Sequence, residues 1–203
     1  ITIHGNASSS VTDGSLHIDN NAQLLGSGTS TYTIAGSFTM DQGGSFTYAS
    51  TTVIMNATTT GKTITTSGGQ EITFNTLRFT GVGGGWNING DIRAQNGISV
   101  ENGTVSGTAN VTVLGGSLSG NGTVSMGGGT TTVATTNTLG GTAPWTFNNL
   151  VLGNGIIVGT TTAATNATTT ILGRLTIGAA HTFSLGGAHI DLRGSGTVFV
   201  ESG

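Results

Sequence analysis

A chain of 203 residues with a net charge of −3 and only five Lys and Arg cannot assemble the basic stripe that nucleic acid requires, and no run approaches the roughly 20 apolar residues of a membrane helix. Charged residues make up 6% and a single proline, Pro144, stands against 37 glycines, yet 34% of the chain is apolar, unlike the polar, highly charged composition of disordered segments. Cysteine is absent, which excludes disulfides and thiolate metal sites.

The chain opens on the alternating run Ile1-Thr2-Ile3, expected as a short strand, followed by a polar turn from His4 to Ser10. Then come Ser15-Leu16-His17-Ile18-Asp19 and Leu25-Gly26-Ser27-Gly28-Thr29, which return near the other end as His189-Ile190-Asp191 and Arg193-Gly194-Ser195-Gly196-Thr197. From Ile34 the segments IAGSFTMDQGGSF (34–46), INGDIRAQNGISV (88–100) and ILGRLTIGAAHTF (171–183) align without a gap, so that Phe38, Ile92 and Leu175 correspond. ITFNTLRF (72–79) matches WTFNNLVL (145–152), and LSGNGTVSM (118–126) matches LRGSGTVFV (192–200).

Within these segments apolar residues fall at every second position, the signature of half-buried strands, and glycine pairs such as Gly43-Gly44, Asn96-Gly97 and Gly186-Gly187 mark the turns between them. Short strands recurring in a fixed order point to stacked repeats, each too small to bury its apolar face alone. The expectation is an all-β fold, a parallel β-helix (β-solenoid) of about ten coils, with strands about 4.8 Å apart forming a rod roughly 45 to 50 Å long. One solenoid spans 1–203, divided into imperfect repeats at 1–33 (partial), 34–87, 88–170 and 171–203 (partial). Ile92 is expected to face the shared core, and the threonine runs 58–60, 130–132 and 160–162 to form outward ladders.

The IxGxΦxΦ, TFNNL and LxGxGTV elements, in that order between Thr/Gly-rich spacers, resemble the repeats of very large secreted bacterial surface proteins, similar to autotransporter passengers and filamentous-haemagglutinin-like adhesins. The resemblance covers nearly all of 34–203. It implies a right-handed parallel β-helix exported to the bacterial cell surface, and it brings no catalytic residues with it.

Few side chains suggest chemistry. His17/Asp19 and His189/Asp191 stand two apart on a strand and so share a face, which suits a metal or an acid–base pair. Both pairs sit at the same repeat position, as expected of residues that merely occupy one outward face, and a site would need a third convergent ligand or base. The carboxylates Asp13, Asp19, Asp41, Glu71, Asp91, Glu101, Asp191 and Glu201 are scattered, and Lys62 lies in an ATTTGKT stretch without phosphate-loop spacing. No catalytic residue, metal or cofactor is expected. The sequons at Asn6, Asn56, Asn102, Asn110, Asn121 and Asn166 are about as many as chance supplies in so Asn- and Thr-rich a chain. Trp86 and Trp145 are the weak ligand-binding candidates, read either as core or corner anchors or as exposed platforms for sugar rings.

The expected function is a non-catalytic structural rod, stalk or filament subunit, extracellular and on a bacterial cell surface. Its partners are further repeats or copies of itself, stacked end to end on two uncapped ends. The alternatives are an adhesin holding surface glycans on Thr/Asn ladders and, behind it, a polysaccharide lyase or hydrolase on the same scaffold.

Overall fold

The computed structural model describes residues 2–4, 14–155, 157–165 and 167–201. The polar turn expected after His4, together with Asp13, Asn6 and Asn166, lies outside them.

After β1 (Thr2–His4), the strands wind in turns. The first turn is β2 (Leu16–Ile18), β3 (Gln23–Leu25) and β4 (Thr31–Ile34), and the second is β5 (Phe38–Met40), β6 (Ser45–Thr47) and β7 (Thr52–Met55). The third is β8 (Lys62–Thr66), β9 (Ile72–Phe74) and β10 (Thr76–Phe79), and the fourth β11 (Gly85–Ile88), β12 (Ile92–Ala94) and β13 (Ile98–Val100). The fifth is β14 (Thr104–Gly107), β15 (Val111–Val113) and β16 (Leu118–Ser119). In the sixth and seventh turns one long strand covers two faces, giving β17 (Thr123–Val133) with β18 (Asn137–Gly140), then β19 (Trp145–Leu152) with β20 (Gly159–Ala163). The eighth is β21 (Thr168–Ile171), β22 (Arg174–Ile177) and β23 (His181–Ser184), and β24 (His189–Leu192) and β25 (Thr197–Val200) belong to a ninth.

The fold is therefore an all-β parallel β-solenoid of about 9 turns, without helix among the described residues, close to the number of coils expected. Three ladders run along it. The first joins β2, β5, β8, β11, β14, the start of β17, the start of β19, β21 and β24; the third joins β4, β7, β10, β13, β16, β18, β20 and β23. The second is divided: β3 pairs with β6, and a separate run carries β9, β12, β15, the ends of β17 and β19, β22 and β25, so no backbone ladder joins β6 to β9. There the second and third turns meet through side chains, Phe46 against Phe74 at 5.8 Å between ring centroids.

Strand alternation sends one side chain in two inward. Because each residue pairs with its counterpart in the next turn, inward side chains stack like on like: Val53, Leu77, Ile98, Leu118 and Leu139 form one buried column. Ile92 is fully buried between Ile72 and Val111. Each such side chain removed from water contributes about 1.5–3 kcal/mol, which the adjacent turns make available to one another.

The same alternation corrects the expectation for the threonine runs. Three successive strand residues cannot all face outward, and Thr131 and Thr161 are buried, whereas 58–60 falls in a bend rather than a strand.

The matched segments also stand on different faces. Ile92 and Leu175 share the second face, but Phe38 lies on the first; Leu77 is on the third face and Leu150 on the second. What recurs in the sequence is a strand, a tight glycine corner and the next strand, a unit usable at any corner of the coil. Some of these corners admit no side chain: a Cβ on Gly81 would stand 1.7 Å from the Ala57 carbonyl oxygen.

Among the described residues, β2 and β4 at the start of the stack have no strand on their outer edges, while β3 has one. At the start of the stack β1 runs antiparallel beside β3, with Ile3 opposite Leu24, and so breaks the parallel pattern on that face. At the other end, among the described residues, β23, β24 and β25 have no strand on their outer edges.

Candidate functional site

The first HID copy gathers a third group. Leu16 and Ile18 point inward, so His17 and Asp19 project outward from and just beyond β2, and Asp41 follows β5 one rung along, its backbone N–H donating to the Ile18 carbonyl at 2.9 Å. His17 Nδ1 lies 3.5 Å from Asp19 Oδ1, and His17 Nε2 lies 3.1 Å from Asp41 Oδ2. All three side chains are partly exposed, at 38%, 31% and 38%. Nε2 itself is enclosed and makes no hydrogen bond, so the short contact to Asp41 lacks hydrogen-bond geometry. The third convergent group that a site at this pair requires is thus present. Asp41 is invisible as a partner in the sequence because one coil of chain separates it from Asp19.

The second HID copy is built differently. On β24, His189 and Asp191 stand beside Thr168 and Thr170 of β21, so the neighbouring rung offers hydroxyls instead of a carboxylate. Arg193 Nε donates to Asp191 Oδ2, adding a fixed positive charge.

Trp86 and Trp145, the candidate sugar platforms, are 1% and 0% exposed. Trp145 Nε1 donates to the Gly122 carbonyl at 2.9 Å, and its ring packs edge-on to Phe147. Trp86 packs against Phe79 and over the Gly84 corner, with its Nε1 buried and unpaired. Neither ring offers a face to a ligand.

Other polar groups tie neighbouring turns together at sequence separations of 19 to 26 residues. Arg78 Nε donates to Glu101 at 2.7 Å, and this hydrogen bond holds the Glu101 carboxyl below its usual range. Arg93 grips Glu71 with two nitrogens, and Asn110 accepts and donates between Asp91 and Thr130. Each of these charges is matched by one partner in an adjacent turn and none converges on a groove. His181 is buried at the start of β23 with Nε2 2.9 Å from Thr161 Oγ1, and burial pushes its pKa down.

Several exposed apolar side chains gather at the open end. Val198 and Val200 are in register with Leu175 and Ile177, and through them with Leu150 and Leu152. Leu150 and Leu152 are fully buried, whereas Val198 and Val200 are 51% and 64% exposed. Phe199, on the opposite face of β25, lies under the Arg174 guanidinium at 4.5 Å. Comparison with known protein families, curated proteins and solved structures finds no match for this chain.

Proposed function

We propose that this chain is a length of a non-catalytic extracellular rod or stalk of a bacterial cell surface, extended by further coils that stack on the β23–β25 end. The observation that supports this reading is the exposure of Val198 and Val200 at positions that are buried in the turns before them, apart from a partly buried Ile177. A solenoid end with a free strand edge and a row of inward apolar side chains is a template for another parallel coil. The occupant it fits is a strand with the same period-2 alternation, in register with β25. The matched Arg–Glu charges and the buried tryptophans favour a structural role over an enzyme or a glycan-stacking adhesin.

Sedimentation velocity tests the reading. The isolated chain is expected to associate as its concentration rises, and Val198→Lys with Val200→Lys is expected to abolish association with the fold intact by circular dichroism. A wild-type chain that stays monomeric throughout, or a doubly substituted chain that associates as before, overturns it.

A further inference from the structure

The stacking of coils accounts for the Arg–Glu pairs and asparagine bridges, which satisfy one another, but not for two carboxylates one rung apart with an imidazole between them. Rungs are about 4.8 Å apart, a distance at which like charges on adjacent strands oppose pairing. We infer that His17, Asp19 and Asp41 bind one divalent transition-metal ion of the zinc class, joining the first turn of the solenoid to the second.

The donor set fits that class. Zinc takes imidazole nitrogen and carboxylate oxygen at about 2.0–2.2 Å, which sets neighbouring donors of a tetrahedral ion about 3.4 Å apart. The separation of 3.1 Å from His17 Nε2 to Asp41 Oδ2 is close to that value, and Asp19 Oδ1, 3.5 Å from the other ring nitrogen, Nδ1, would have to turn toward Nε2 to join them. Nε2 is the nitrogen that suits the ion: it is closed to solvent yet engaged in no hydrogen bond. An oxygen beside a ring nitrogen, off its hydrogen-bonding direction, stands where a second ligand of the same ion belongs. One donor atom from each of the three residues already lies within 4.8 Å of the others. The two carboxylates that would close on the ion are both partly exposed.

Three protein ligands leave a position for water, as in open zinc sites. Calcium is a poor fit, since it takes six to eight oxygens and the cluster offers two carboxylates and a nitrogen. The second HID copy is an internal control: it has the same His and Asp spacing, but the strand beside it, on the preceding turn, offers Thr170 and no carboxylate, and Arg193 holds a positive charge on Asp191.

The test is calorimetric titration of zinc chloride, and separately calcium chloride, into the chelator-treated chain and its variants. One saturable zinc site is expected, weakened at least tenfold in Asp41→Asn and in His17→Ala and less than twofold in His189→Ala, with no saturable calcium site. Nitrogen-15 spectra of the unsubstituted chain give a readout independent of any variant's folding: zinc is expected to shift the His17 Nε2 resonance and leave His189 unmoved. Absence of saturable zinc binding, equal binding in Asp41→Asn, calcium binding of equal strength, or a shifted His189 with His17 unmoved overturns the assignment, as does a His17 that only bridges its two carboxylates as an imidazolium in the presence of zinc.

Discussion

The fourth turn and the last four turns share a backbone pattern but not a core. Around Ile92 the inward positions are Ile72, Ala94, Ile98 and Val111, each covered by a turn on both sides. Toward the open end the buried set includes Asn137, Thr161, Thr169, Thr176 and His181, and the final inward valines face solvent. The difference shows that in this fold burial is supplied by neighbours, turn by turn, and not by a global interior. A position is as apolar as the coils on either side of it require.

The largest effect is expected where both neighbours are present. Ile92→Asp places an unpaired charge in the column and is expected to cost about 4 kcal/mol or more, whereas Val198→Asp at the half-covered end is expected to cost under about 1 kcal/mol. Thermal unfolding followed by circular dichroism measures both, and equal losses would erase the distinction between middle and end.

A second comparison concerns backbone contact. Gly81→Ala forces a methyl group onto the Ala57 carbonyl and is expected to cost about 2 kcal/mol, against almost nothing for Gly127→Ala, whose Cβ would meet nothing within 4 Å. Denaturant unfolding of the two variants gives the difference, and a neutral Gly81→Ala would mean that this corner can widen.

The smallest effect tests the polar end of the core. His181 is neutral in the fold because burial lowers its pKa, while in the unfolded chain it titrates near 6.5. The unfolded state therefore binds the proton first, so stability is full above about pH 6.5 and declines as pH falls below that value toward the folded-state pKa. Replacement by Gln is expected to flatten the melting temperature between pH 7 and 5; an unchanged slope would assign the dependence to other groups.

Much of this architecture is legible in the residues. Alternation at Leu175/Ile177 or Val198/Val200 specifies strands, the glycine pairs specify corners, and together they give a coil and a stack. The register between coils is less accessible, because every corner uses the same kind of strand–glycine–strand unit. That is why Phe38, Ile92 and Leu175 align in sequence yet occupy two faces. The approach of Asp41 to His17 depends on the same hidden quantity, the length of one coil, and no local pattern encodes it. Trp86 and Trp145 were ambiguous for another reason: an indole opening a strand reads alike whether it turns inward or outward, and only the neighbouring rungs decide.

The gap in the second ladder between β6 and β9 has a mechanical consequence. Turns three to eight are sewn to one another along three seams of backbone hydrogen bonds, but the first two turns are attached to them by two seams and a pair of phenyl rings. Under axial tension, or in spontaneous opening followed by amide hydrogen exchange, the molecule has a preferred place to part, and residues 14–55 would come away as a unit that carries His17, Asp19 and Asp41 with it.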